Sequence, residues 1–281
     1  MRIIFSRKGF DSQYGRVPSP ILPDGSLLSF PIPSRYGRPL GDLECALGPV
    51  DKLASDLTKG AITEHSSVHL DPDLSASAVE RKPGWRATLG QVGSAQRHLA
   101  NQSVGPGDVF LFFGWFRQTE LAAGKLQYVR GAPDIHALFG WLQVGEVLEV
   151  GTFGCPAWLE DHPHVQHASV IGKNNTLYVA GDSLSGMRDR VPAAGTFRNW
   201  GPSLQLTAPG HTRSIWRLPR WTLNDPSRPT LSYHPKPARW LAEQDHVTLQ
   251  TVGKGQEFVI DVGECQDAAK WLQRLILDHG I

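Results

Sequence analysis

The sequence predicts an α+β fold: a mostly antiparallel, bent sheet or partial β-barrel carrying a few helices. Three observations predict it. Two long apolar runs, Val109 to Phe116 and Ala137 to Val147, are too short for buried helices and rich in aromatic and β-branched residues, so they read as central strands. Helical periodicity is confined to a few stretches, clearest at residues 90–102 and 266–278. The chain also holds 29 Gly and 21 Pro, a turn-rich composition that argues against a helical bundle.

In chain order, Arg2-Ile3-Ile4-Phe5-Ser6 is a buried-type strand. It runs into Arg7-Lys8-Gly9-Phe10-Asp11-Ser12, where charge, hydroxyl and glycine crowd a strand end. Residues 17–40 carry prolines at 18, 20, 23, 31, 33 and 39, which forbid a helix and leave room for at most a short strand at Leu27 to Phe30. A short helix is expected around residues 49–59. Over residues 90–102, Val92, Ala95 and Leu99 fall at helical spacing, and Gly105-Pro106-Gly107-Asp108 stops the helix before the first central strand. Leu177 to Ala180 and Glu257 to Val262 add shorter strands. Ala269, Leu272, Leu275 and Ile276 give the last helix its apolar stripe.

At 281 residues the chain is expected to form a single compact domain, with an N-terminal lobe over 1–104 and a sheet-rich lobe over 105–281. Apolar residues make up 40% and charged residues 20%, so most of the chain should be ordered. A formal net charge of +1 supplies no global field for holding duplex DNA. Cys45, Cys155 and Cys265 form no CxxC pair, which speaks against a disulfide framework or cysteine zinc site. With no signal-type apolar segment and no apolar window of membrane-spanning length, the expectation is a cytoplasmic protein without a membrane partner.

Four groups of residues carry candidate chemistry. At the end of the first strand, where ligands gather in open sheets, Arg7, Lys8, Asp11 and Ser12 suit phosphate or substrate binding, against the plainer reading of an exposed turn. In extended conformation His69, Asp71 and Asp73 point to one face, as an acid/base group or the ligands of a divalent metal would require; the plainer reading is an Asp-Pro turn. His98 lies beside the buried face of the 90–102 helix, as a structural histidine or a general base. His162, His164 and His167 fall within six residues, but no zinc spacing is present and Pro163 opposes a helix, so an exposed loop is expected. Among nine tryptophans, Trp115 and Trp141 suit base stacking, and the Arg-rich stretch 212–239 is the best local basic and aromatic surface.

The chain resembles the third of the families named nucleotide modification associated domains. The resemblance runs through Ile3 to Ser12, Pro18 to Gly25, His69-Leu70-Asp71-Pro72-Asp73-Leu74, Gly90-Gln91 with His98-Leu99, and Gly107 to Phe116. It implies a bacterial or phage intracellular protein of a DNA or nucleotide modification system, and it carries no catalytic role to individual residues. Residues 105–150 are also similar to the cores of PUA-type and ASCH-type barrels, which bind RNA or modified bases. Three functions follow as expectations. The first is an enzyme acting on a nucleotide or extruded base, with His69, Asp71, Asp73, His98 and Asp11 in catalysis and Arg7, Lys8, Ser12, Gln91, Trp115 and Trp141 holding substrate. The second is a non-catalytic reader with a modified base in an aromatic pocket. The third is a scaffold that escorts a DNA-modifying enzyme partner.

Overall fold

The computed structural model describes residues 1–45, 47–152, 154–187, 190–223, 231–253 and 255–280. The chain opens with β1 (Arg2–Arg7), followed by β2 (Ser19–Ile21), β3 (Ile32–Pro39), the small hairpin β4 (Glu44–Cys45) and β5 (Gly48–Pro49), and α1 (Val50–Thr58). Next come β6 (Ser67–His69), β7 (Thr88–Gln91), α2 (Gly93–Asn101) and the long strands β8 (Val109–Ala122) and β10 (Ile135–Glu149), with β9 (Lys125–Tyr128) between them. Two single-turn helices, α3 (Pro163–Gln166) and α4 (Ala168–Ile171), precede β11 (Thr176–Ala180) and β12 (Ala194–Thr196). The last part holds β13 (Ile215–Pro219), β14 (Trp240–Ala242), β15 (His246–Gln250), β16 (Glu257–Asp261) and α5 (Gln266–His279).

The main sheet runs β16-β1-β8-β10-β11-β7, with β2 and β9 also on β8 and β12 on β10. Its ladders are antiparallel except that β1 and β2 pair parallel with β8. Strand β8 is buried because Val109 to Phe116 is apolar on both faces, as a strand flanked on each side must be. It turns back into β9 through Ala123 and Gly124, both at positive φ (50° and 76°), the backbone that a two-residue hairpin turn needs. Strand β10 shifts register twice, near Phe139 and Gly145, and such bulges bend a sheet. The fold is α+β around a mostly antiparallel sheet, as expected, and no barrel closes among the described residues.

Most elements match the expectations, and the departures have physical causes. The Pro-rich segment holds two strands in addition to its loops. Strand β2 seats Pro20 within a parallel pairing to β8, and β3 pairs with β6 through a register shift between Pro33 and Arg38, which accommodates the missing proline donors. Leu27 makes only an isolated bridge to Ile21. Residues 90 and 91, expected in the helix, end β7 instead, and α2 begins at Gly93. In α5, Ala268 and not Ala269 joins Leu272, Leu275 and Ile276 in the core.

Two apolar clusters organise the packing. The larger surrounds β1, β8, β10 and α5. The smaller gathers Phe10, Phe30, Leu40, Leu53, Leu57 and Val68 under α1, together with Leu126 of β9. Strands from residues 1–104 lie in the same sheet as those from the rest of the chain, so the N-terminal part is woven into the main layer. That weaving brings the ends of β1, β6 and β7 together.

Candidate active site

The centre of the site is Asp71. Strand β6 delivers His69 at its end, and four residues later the chain is pinned beside β7 by reciprocal backbone bonds between Asp73 and Thr88 (2.9 and 3.0 Å). This places the Asp71 carboxylate where its Oδ1 accepts the Gly90 backbone N–H at 2.7 Å. Gly90 leaves the space that the His164 imidazole fills, since a Cβ there would lie 2.3 Å from the ring. His164 comes from α3, which starts with Pro163 at its first turn, a position where proline is favoured. The expected exposed loop at 162–167 is therefore corrected: His162 and His164 are 6% and 4% exposed, while His167 turns away to pack on Tyr36.

Around Asp71, His69 Nε2 and His164 Nε2 lie 3.8 and 3.7 Å from Oδ2, and His162 Nε2 lies 4.0 Å from Oδ1. One ligand atom each from His69, Asp71 and His164 fall within 4.8 Å of one another. The hydrogen bonds assign the tautomers. Asn175 Nδ2 donates to the His164 carbonyl (2.7 Å), which orients Asn175 Oδ1 to accept from His164 Nδ1–H (2.6 Å). His164 Nε2 is left facing the Asp71 carboxylate. His162 differs: its Nδ1 accepts the His164 backbone N–H (3.3 Å), so its Nε2 carries the proton and is a donor.

The charges agree with this arrangement. Burial alone pushes the Asp71 carboxyl up, but the neighbouring His164, Lys8, His69 and His162 outweigh it and hold it below the ordinary range. Burial lowers His69, with Asp71 pulling the other way, and burial takes His162 down to about 3. Lys8 follows the end of β1, 8% exposed, with its Nζ 3.3 Å from Glu257 Oε1. The same oxygen accepts from Gln91 Nε2 (2.6 Å) and Ser6 Oγ (3.0 Å), while Glu257 Oε2 is buried without a hydrogen-bond partner among the described residues.

The structure thus gathers His69, Asp71 and Lys8 of the expected residues and places Gln91 beside them, its amide engaged by Glu257. The others lie elsewhere. Asp73 was expected on the face of His69 and Asp71, but alternation stops when β6 ends, and its carboxylate binds Arg81 (2.7 and 2.5 Å). Asp11 accepts the backbone N–H groups of Gln13 and Tyr14 and closes a turn that also contains Ser12. Arg7 points to the opposite face of β1 from Lys8, where its charge acts on His136 and Arg213. His98 Nε2 meets Ser232 Oγ at 3.0 Å and its ring packs on Tyr233. Trp115 is covered by the Arg213 guanidinium at 4.2 Å. Trp141, 1% exposed, packs on Phe197 in the core and offers no face to a ligand.

His164, Asn175 and Glu257 belong to the centre and were not singled out with it from sequence. For His164 a signal existed in the closely spaced histidines, and Pro163 was given the wrong weight. Asn175 and Glu257 carry no local signal, because each acts through a partner more than ten residues away.

The comparisons with known proteins agree with the sequence resemblance. Residues 2–261 match the family described as nucleotide modification associated domain 3. No curated protein and no solved structure matches the chain. No helix among the described residues is long and apolar enough to cross a membrane.

Proposed function

Starting from the fact that the chain belongs to the nucleotide modification associated domain 3 family, we propose that it is an enzyme of a nucleotide modification system. In this reading the catalytic centre is a divalent cation held by His69, Asp71 and His164, and the substrate is a free nucleotide or an extruded base. The family's name ties it to nucleotide modification; the enzymatic role is our reading. One observation carries it: His69, Asp71 and His164 bring one ligand atom each within 4.8 Å of one another around a buried carboxylate, a donor set that a divalent cation takes. Ligand atoms sharing a tetrahedral ion at about 2.1 Å lie roughly 3.4 Å apart, so the three ligand atoms, now within 4.8 Å of one another, would have to draw together to close on a metal.

Two imidazoles and one carboxylate leave further coordination positions open, which suits a reacting water or substrate atom. Asn175 fixes the His164 tautomer, as metal-ligating histidines usually require. Lys8, paired with Glu257, also sets its charge near Asp71 and helps hold that carboxylate ionised. The reader alternative has less support, because Trp141 is core and Trp115 is already capped by Arg213.

The test is to incubate divalent-loaded protein with deoxynucleotides and with single-stranded DNA, and to follow the base by mass spectrometry. A mass change that disappears in His164→Gln supports the enzyme. Retained binding with no mass change under any divalent ion supports the reader instead.

A further inference from the structure

Of the seven buried side-chain polar atoms without a hydrogen-bond partner among the described residues, three belong to residues lining one cavity: Arg81 Nε, Arg86 Nε and His162 Nε2. All three are N–H donors. A buried donor left unmade costs on the order of 1–3 kcal/mol, so three around one space call for an acceptor there. The cavity is about 40 Å³, and Arg38 also lines it, its side chain making no hydrogen bond or ion pair among the described residues. We propose that this cavity is a phosphate-binding subsite, taking the terminal phosphate monoester of a nucleotide.

The surrounding charges point the same way. Asp73 is taken up by Arg81, and Asp161 by Lys82 at 3.1 Å, while Glu80 sits on the exposed rim. Arg38 adds a further positive charge, which acts on Asp73 from a distance but makes no ion pair with it among the described residues. The donors are N–H groups only, which suits an oxyanion with acceptor lone pairs in every direction. The volume suits a phosphate and excludes a whole nucleotide, so the sugar and base would extend out of it.

His162 joins this subsite to the catalytic centre. It lines the cavity, and its Nε2 stands 4.0 Å from Asp71 Oδ1. A phosphate bound there would hold the rest of the nucleotide against His69, Asp71 and His164. That last step rests on the enzymatic reading above; the anion subsite itself does not.

Isothermal titration with inorganic phosphate, a deoxynucleoside 5′-monophosphate and the matching nucleoside tests it, using the full chain and its Arg38→Ala, Arg86→Gln and Asp71→Asn variants. Phosphate and the monophosphate should bind, the nucleoside about tenfold more weakly or not at all, and Arg38→Ala should weaken the monophosphate roughly tenfold, the size expected for one charge-assisted contact. Phosphate binding that survives Asp71→Asn while metal binding is lost would uphold the subsite independently of the metal. Absence of phosphate binding, or equal affinity for nucleoside and monophosphate, or affinities unchanged in both arginine variants with circular dichroism intact, would overturn the subsite and leave the metal reading standing.

Discussion

Gly90 shows how closely the site depends on single residues. Its backbone N–H anchors Asp71 and its missing side chain admits His164, so Gly90→Ala should damage both at once. The Cβ would lie 2.3 Å from the imidazole, and relief requires moving His164. Thermal denaturation should register a loss of about 1–3 kcal/mol, and divalent binding should weaken far more than in a surface control. The Lys8–Glu257 pair offers a second check. Both residues are buried, so Lys8→Met, which strands the carboxylate, should cost about 3–5 kcal/mol in chemical denaturation. Adding Glu257→Gln should recover much of that loss. If Lys8→Met alone is neutral, the pair contributes no stability.

His136 makes a pH prediction at the same scale. Burial, with Arg213 and Arg7 nearby, depresses its pKa from 6.5 to about 3, and it sits between Phe113 and Trp216 with Nδ1 accepting the Trp216 indole N–H. The unfolded chain therefore binds the proton more readily than the folded one. Its contribution to stability is complete above pH 6.5 and is lost progressively as pH falls toward 3. His136→Gln should flatten that part of the stability profile, measured by urea unfolding between pH 7 and 4. An unchanged slope would place the acid sensitivity elsewhere.

At the scale of elements, the site exists because strand ends from distant parts of the sequence are brought side by side. Strand β6 supplies His69, the Asp73–Thr88 bridge holds Asp71 beside β7, and the four-residue α3 presents His164. Asn175, just before β11, is the part that holds α3 in register, through bonds to both the ring and the carbonyl of His164. Asn175→Ala should leave the sheet intact and reduce divalent affinity about 10- to 100-fold, the range usual for the loss of a residue supporting a metal ligand. Unaltered affinity would mean that His164 is oriented by packing alone.

How far the sequence could be read follows the same division. Strands β1, β8, β10 and β16 and helix α5 were legible because apolar runs and periodicity are local signals. Strand β3 was not, since its prolines hide it: the pairing tolerates them only through a register shift that depends on β6. His69 and Asp71 were legible as a pair because they sit at one strand end, and Asp73 was misplaced because period-two alternation was extended past that end. His162 and His164 were visible as residues but not as buried ones, because burial came from Gly90 and Asn175, which sequence spacing cannot connect to them.

At the scale of the whole molecule, a chain of net charge +1 has no global field to draw in an anion, so the proposed nucleotide recognition would rest on local features. The structure supplies them on one side of the sheet: a buried carboxylate among three histidines, a lysine and glutamate pair behind it, and unpartnered N–H donors in the adjoining cavity. The central claim is that His69, Asp71 and His164 hold a divalent cation. It is tested most directly by calorimetric titration of chelator-stripped protein with a series of divalent ions, alongside Asp71→Asn and His164→Gln variants whose fold is verified by circular dichroism. The account predicts one equivalent bound by the unmodified chain and none by either folded variant. No binding by the unmodified chain, or equal binding by all three, would contradict it.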